Sequence, residues 1–510
     1  MTRIPHLATI AGLSAAFVAG GPAREARPSG PADAQVESVS MPSPSSPLVA
    51  FRFVVRVGSQ DDPEGKEGLA ALTAAMVAEG GSRSLSYEQL LERLYPMAAS
   101  LDGACRKEVT VFQGTIHRDN LNAYIPMAAE LLAEPRFDPE DFERLHNEAL
   151  DQVSKSLRGN NDEELGKWTL QCELYAGHPY GHPDVGTVAG LKSITLDDVK
   201  AFHRAHYRRD ELLVGIAGGA EPTTLGQLVA RLGAMAAGTG KPQSPALPAP
   251  KPPHGLEVTI VSKPAEATAI SIGFPIDVTR SDDDFYALAV ANSYLGEHRT
   301  FNGKLMQDLR GKRGLNYGDY SYIEDFIQEG GSTFPVPNNP RRQQAFSIWV
   351  RPVPKDKAVF ALRAALWEHD RLVEHGMSQA EFEATRAFLL NYSKLWVQTL
   401  SRRLGYAIDG GFYGRKDLVT ELAERLPKLT VDQVNAAVRK HLKPGGMRVA
   451  IVAGNAEELR ELLTSGKPTP LAYDTQGTPE AILEEDKAIA AFPLKDVTVK
   501  IIPVEQMFEN

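Results

Sequence analysis

Histidines, cysteines and carboxylates are the side chains that hold metals or move protons, so their spacing is read first. His178 and His182 sit in HPYGHP, and His203 and His206 in HRAH. Three-residue spacing places the second pair near one helical face, yet no third ligand accompanies either pair, and a relocated metal site lacks its donors. HPYG reads instead as a loop signature, with Pro179 fixing the backbone and Gly181 freeing it. No Ser, His and Asp arrangement is legible from spacing, and no phosphate-cradling glycine loop runs from a strand into a helix. Cys105 and Cys172 are the only cysteines, compatible with one disulfide after export or with two buried thiols. A net charge of -10 and the lack of a basic stripe interleaved with aromatics argue against a nucleic-acid partner. The pairs Arg341/Arg342 and Arg402/Arg403 read as solvated faces.

The elements that position these residues fall into a repeated order. A β-rich run from Phe51 to Val57 leads through a polar turn into the alanine-rich stretch Gly68 to Gly81, GLAALTAAMVAEGG, where Leu69, Leu72 and Met76 have helical spacing. A glycine stop, a helix, a strand pair and another helix follow, and a strand at Leu212 to Ala217 closes the series. ITLDDVKAFHRAHYRRDELLVGIAGGA, from Ile194, recurs as LTVDQVNAAVRKHLKPGGMRVAIVAGNA, from Leu429. Thr195 and Thr430 are the expected helix N-caps, with Asp198 and Gln433 completing capping boxes three residues later. The opening strand, acidic turn and helix are echoed from Ala269 by AISIGFPIDVTRSDDDFYALAVANSYLG. Two homologous domains are therefore expected, joined by the proline-rich AAGTGKPQSPALPAPKPPHG, a semi-rigid spacer.

On this order of segments the chain resembles the pitrilysin or insulinase (M16) peptidase family, from about Val36 to Gly454. Gly68 to Gly81 is similar to its inverted zinc motif H-x-x-E-H, in which two histidines grip zinc and the intervening glutamate activates water. Ala71 and Ala75 then occupy the histidine positions and Ala74 the glutamate; a methyl group neither coordinates zinc nor moves a proton. The family's third ligand is a glutamate on a later helix. The matching region, Glu143 to Gln152, offers Glu148 and Asp151 as further carboxylates, but no histidines face them and a helical surface accounts for them. Members whose zinc half is completed by a second half carry an arginine and a tyrosine seven residues apart. Here Arg310 and Tyr317 fit that pattern, on a helix from about Asn302 that ends near Gly311 to Gly314 before a tyrosine-rich strand. The resemblance implies that the pair reaches across an interface and donates hydrogen bonds to a substrate carbonyl or oxyanion. The segment from Ser293, SYLGEHRTFNG, falls where the non-zinc subunit of mitochondrial processing peptidase has a glycine-rich loop, but it is poorer in glycine.

The expectation is an α+β fold of two M16-type domains, each a mainly antiparallel sheet with helices packed on one face. Residues 1–33 read as a signal peptide and leader, with cleavage near Gly20 or Ala23 and a periplasmic or otherwise exported destination. A mis-assigned start and a cytoplasmic chain is the alternative. Residues 34–235 form the first domain, 236–256 the linker, 257–470 the second domain and 471–510 a C-terminal extension. The resemblance implies a subunit without zinc of its own, in a heterodimer with a homologous zinc-bearing M16 subunit, acting on extended peptides. The alternatives are a structural core subunit of a larger assembly and a peptide-binding scaffold without a catalytic role. No run in the folded part approaches a membrane span.

Overall fold

The computed structural model describes residues 36–238, 246–328, 333–473 and 477–510; the expected signal peptide and the middle of the proline-rich linker lie outside the described residues. Among the described residues, eleven strands form two sheets. The first contains β1 (Glu37–Pro42), β2 (Leu48–Val55), β3 (Asp102–Cys105), β4 (Thr110–His117) and β5 (Leu212–Gly218) in the order β1-β5-β2-β4-β3. The second contains β6 (Gly255–Ser262), β7 (Ala267–Ile276), β8 (Asp319–Tyr322), β9 (Gln344–Pro354), β10 (Gly446–Ala453) and β11 (Val497–Pro503) in the order β11-β6-β10-β7-β9-β8. Apart from β11 the two orders superimpose strand for strand. β1 pairs in parallel with β5 as β6 does with β10, and the remaining shared pairs are antiparallel. β11, from the C-terminal extension, adds a parallel edge to β6.

The helices that matter for the site are α1 (Leu69–Glu79), α2 (Leu121–Ala133), α3 (Pro139–Asp151), α4 (Asp162–Leu174), α5 (Leu196–His206), α6 (Asp283–Gly296), α7 (Ala358–His375), α8 (Leu400–Phe412), α9 (Val431–His441) and α10 (Glu480–Ala490). In the first sheet Phe51, Phe53 and Val55 alternate onto one face and pack with α1, α2 and α5. In the second, Val449 and Ile451 do the same beneath α6, α7 and α9. Both capping boxes form: Thr195 accepts from the Asp198 amide at 3.3 Å, and Thr430 from the Gln433 amide at 3.3 Å.

The opposite face of each sheet is covered by a helix from the other half. Leu170 and Leu174 of α4, a first-half helix, pack on Ala450 of β10 and close to Gly273 of β7. Leu404 and Ile408 of α8, a second-half helix, pack on Val54 and Leu213 and sit against Gly215 of β5. The two glycines leave room at these approaches: a Cβ on Gly215 would stand 2.9 Å from both Leu404 and Ile408 side chains, and one on Gly273 3.3 Å from Leu170. Each fully buried leucine or isoleucine contributes roughly 1.5–3 kcal/mol, so this exchange of helices ties the halves together with apolar area on both sides.

Candidate functional site

A cavity of about 510 Å³ lies between the halves. Ala71, Ala74 and Ala75 form part of its wall on one side, with Trp168 beside them, and Phe326 and Trp349 come from the second half. The three alanines form one stripe because residues three and four apart on a helix are neighbours. The opposite stripe of α1, with Leu69, Leu72, Met76 and Val77, is buried in the first core.

α1 starts where it does for a local reason. The Asp62 carboxylate accepts from the Gly68 and Ala70 amides, both at 2.7 Å, and so satisfies two donors that an N-terminus leaves open. Gly68 itself has φ 110°, and a Cβ there would meet the Val185 carbonyl oxygen at 2.7 Å. At the other end the Gly80 amide closes onto the Met76 carbonyl and Gly81 turns away with φ 71°.

The residues at this place do not fit a zinc ion. Three methyl groups carry no lone pair, and of the segment from Glu143 to Gln152 the cavity wall includes one residue, Gln152, whose neutral amide is a poor substitute for a carboxylate. Gln152 opens a π-helical turn, Gln152–Leu157, directly after α3. Glu143 and Glu148 are exposed on α3, and Asp151 pairs with Lys155 at 2.6 Å. Among the described residues no group of three or more His, Cys, Asp or Glu side chains is placed to hold a metal.

The charged groups of the cavity wall are mostly spent on partners. Asp184 pairs with the fully buried Lys107 at 2.9 Å, Asp325 with Arg341 at 2.7 Å, and Glu164 with Lys167 at 2.7 Å. Burial raises the pKa of Glu79, with Arg144 3.9 Å away opposing the rise. Lys167 also stands 3.7 Å from the centre of the Trp349 ring. Cys105, which touches the cavity, and Cys172 are both free thiols, and burial pushes the Cys172 thiol up to about 12. Neither is a poised nucleophile.

Deeper between the halves lies a clamp that the sequence did not announce. Glu108 accepts from the Arg342 amide at 3.0 Å, from Arg342 Nε at 2.7 Å and from Tyr180 Oη. Gln60 joins it, donating to Glu108 at 3.3 Å and accepting from Arg342 at 3.0 Å. Arg341 and Arg342 are therefore not solvated faces. On the lead-in to β9, Arg341 pairs with Asp325 of its own half, while Arg342 reaches across to Glu108 of the first half. Tyr180, from HPYG, is a fully buried member of this clamp.

The histidines prove structural. His178 accepts from the Tyr180 amide at 2.9 Å, and His203 meets the Leu132 carbonyl at 3.1 Å and stacks on Tyr207. Burial lowers His182 and His203 to about 4, so both are neutral at physiological pH. His206 packs on Phe202 with ring centres 4.3 Å apart.

Arg310 and Tyr317 lie elsewhere, on the outside of the second half, and neither lines the inter-half cavity. Arg310 sits on a second π-helical turn, Met306–Gly311, with its guanidinium 5.0 Å from the centre of the exposed Phe301 ring. Tyr317 is 78 % exposed. Its turn is nevertheless fixed: Asn316 donates to Asp319 at 2.7 Å and to the Arg351 carbonyl at 2.9 Å, and accepts from the Gly318 amide. In the segment from Ser293, His298 is buried against Tyr320 and Phe326 and meets Tyr322 Oη at 2.6 Å.

Residues 38–180 match the model of the insulinase family (peptidase family M16), and residues 193–389 the model of the peptidase M16 inactive domain. An uncharacterized zinc protease of Streptomyces coelicolor is 23% identical over 408 residues, 78% of this chain and 83% of that protein. A protein of Helicobacter pylori described as a non-peptidase homolog is 23% identical over 419 residues, 81% of this chain and 90% of the relative. Among solved structures, an M16 inactive domain from Pseudomonas fluorescens superimposes with a TM-score of 0.70 at 22% identity, covering 82% of this chain and 95% of its own. The first matched stretch takes in β2 to β4 and most of β1, the second β5 to β9, and the chain belongs to the M16 family of peptidases, with an α+β fold of two M16 domains.

Proposed function

We propose that this chain is the non-zinc subunit of a heteromeric M16 metallopeptidase. A homologous chain supplies zinc and the water-activating glutamate, and this chain supplies Arg310 and Tyr317. The observation that carries the reading is the division of labour on its own surface. The helix α1 keeps its place at the cavity with methyl groups at all three chemical positions, while the arginine and tyrosine stand outward on a braced turn. A guanidinium and a phenol carried on a backbone held in this way stabilise charge that appears only in the transition state. The non-peptidase description of the Helicobacter relative supports an inactive role for the chain alone.

Substrates on this reading are extended peptides. β3 and β8 end their sheets, and an unpaired strand edge offers main-chain hydrogen bonds without regard to side-chain sequence. Export to the periplasm belongs to the same proposal, as do the domain limits 34–235 and 257–470. Among the described residues no helix is long and apolar enough to cross a membrane.

The test pairs the purified chain with a homologous M16 chain that retains H-x-x-E-H and follows a quenched fluorescent peptide. The single chain should bind no stoichiometric zinc and turn nothing over. In the pair, Arg310→Ala and Tyr317→Phe should each lower kcat about 10²- to 10³-fold, as for removal of one oxyanion donor. Unchanged kinetics in both variants would reject the composite site.

A further inference from the structure

The seven-residue interval between Arg310 and Tyr317 is anchored from an unexpected direction. Arg313, inside the interval, has a side chain with no exposure at all. Its Nε donates to Asp486 at 2.6 Å, one terminal nitrogen to Glu485 at 2.7 Å and the other to the Asp308 carbonyl at 2.9 Å. Asp486 and Glu485 belong to α10, in the C-terminal extension and beyond both stretches matched by the family models. Lys312 adds a second link to Glu485 at 3.5 Å.

α10 is itself tied down. Arg363 of α7, only 2 % exposed, donates to the Lys467 carbonyl at 2.9 Å, to Thr469 at 3.1 Å and to the Ala490 carbonyl at the end of α10. Tyr473 donates to the second Asp486 oxygen at 2.6 Å. Downstream, β11 completes the attachment by pairing with β6. The path from the rigid core to the interval thus runs from α7 through Arg363 to α10 and through the two carboxylates to Arg313. Leu309 and Leu315, both buried, hold the backbone on either side of Arg313, and the Leu315 amide closes onto the Leu309 carbonyl at 3.1 Å.

We propose that Arg313, with Glu485 and Asp486, is the positioning residue of the Arg310/Tyr317 pair, so that the C-terminal extension is a working part of the composite site. This rests on the heteromeric-peptidase reading given above. The physical reason is geometric. A fork of donors held by two carboxylates fixes the direction of the turn as well as its place, and a small misplacement of transition-state donors costs rate rather than affinity. An ammonium at position 313 keeps the charge but cannot span both carboxylates and the Asp308 carbonyl at once.

Two measurements test it. In the isolated chain, hydrogen exchange of the amides from 309 to 318 should quicken about tenfold or more in Arg313→Lys and in the double variant Glu485→Gln/Asp486→Asn, as expected when a local anchor is lost. In the reconstituted pair, Arg313→Lys should lower kcat about tenfold with KM within about twofold, since only the transition state feels the donors' aim. Arg310→Ala and Tyr317→Phe are measured alongside. If Arg310→Ala and Tyr317→Phe are both silent, the composite-site reading on which this rests fails. If Arg310→Ala slows turnover while Arg313→Lys and the carboxylate variant keep both kcat and exchange unchanged, the positioning role is overturned.

Discussion

Replacing Glu108 by alanine should loosen the two halves more than any comparable surface change. The residue is 3 % exposed as a whole and its carboxylate takes three kinds of donor at once: the Arg342 guanidinium and amide, Gln60, and Tyr180 Oη. Tyr180 has no exposure, so its hydroxyl is left in a dry site, at a cost of about 1–3 kcal/mol. Removing one partner of a buried charged pair costs about 3–5 kcal/mol, but the Arg342 side chain is 29% exposed and water recovers part of that. Adding the two with this discount places Glu108→Ala at about 3–6 kcal/mol. Glu108→Gln keeps an acceptor for Tyr180 and should cost about half as much. Urea denaturation followed by fluorescence of Trp168 and Trp349, which face each other's halves across the cavity, reads the effect. The alanine variant should show an earlier transition, or a new one in which the halves part before either core melts. A loss under about 1 kcal/mol with an unchanged transition would refute the clamp, because a buried carboxylate with these partners cannot be removed so cheaply.

Two further outcomes are expected. Glu368, 6 % exposed on α7, has a carboxyl that burial raises to about 7, with Asp308 nearby pushing the same way. A folded-state pKa above the unfolded value means that the folded chain holds a proton the unfolded chain has lost. This contribution is full below about pH 4.5 and disappears as pH rises through about 7. Glu368→Gln should therefore flatten the fall in stability between pH 5 and 8 and raise stability at pH 8 by about 1–3 kcal/mol; thermal melts across that range decide it, and an unaltered pH profile would count against it. The second outcome concerns the vacated helix. Ala71→His, Ala75→His and Gln152→Glu together should give equimolar zinc uptake by elemental analysis and a zinc-dependent gain of about 2.7 kcal/mol at a hundredfold excess over Kd. A folded triple variant that takes up no zinc would mean that these positions do not converge as the family frame requires.

Much of this was legible in the chain because it depends on short-range physics. Strand alternation, the two capping boxes and the duplicated segment from Ile194 and Leu429 each show within about thirty residues, and all three recur in the two sheets. The parts that were missed depend on contacts across hundreds of residues. Arg342 reads as surface charge until β9 brings it to Glu108, 234 positions away. Gln152 is one polar residue among many on an exposed helix until the fold sets it in the same wall as Ala71. The extension from residue 471 carries neither periodicity nor motif enough to reveal that β11 completes a sheet and that α10 holds Arg313. The exchange of α4 and α8 between the halves was likewise invisible, since nothing in either segment says which sheet it covers.

What the alanines preserve matters as much as what they remove. Alanine has the highest helix propensity, so a stripe of methyl groups at 71, 74 and 75 costs α1 no intrinsic stability, and the buried stripe of Leu69, Leu72, Met76 and Val77 holds the first core. Asp62 and Gly68 still fix the start of the helix, and Gly80 and Gly81 still end it. On the proposed reading the architecture around a metal centre persists without the metal's chemistry, because Ala71 and Ala75 lie at the cavity while Leu69, Leu72, Met76 and Val77 on the far side of the helix carry most of its core packing. The same separation holds in the second half, where Leu309, Arg313 and Leu315 anchor the turn inward and Arg310 and Tyr317 project from it. On the proposed reading one half can lack chemistry and the other carry it within a single stable chain: Ala71, Arg310 and Tyr317 lie outside the buried cores, while Ala74 and Ala75 pack into or against the first core as methyl groups.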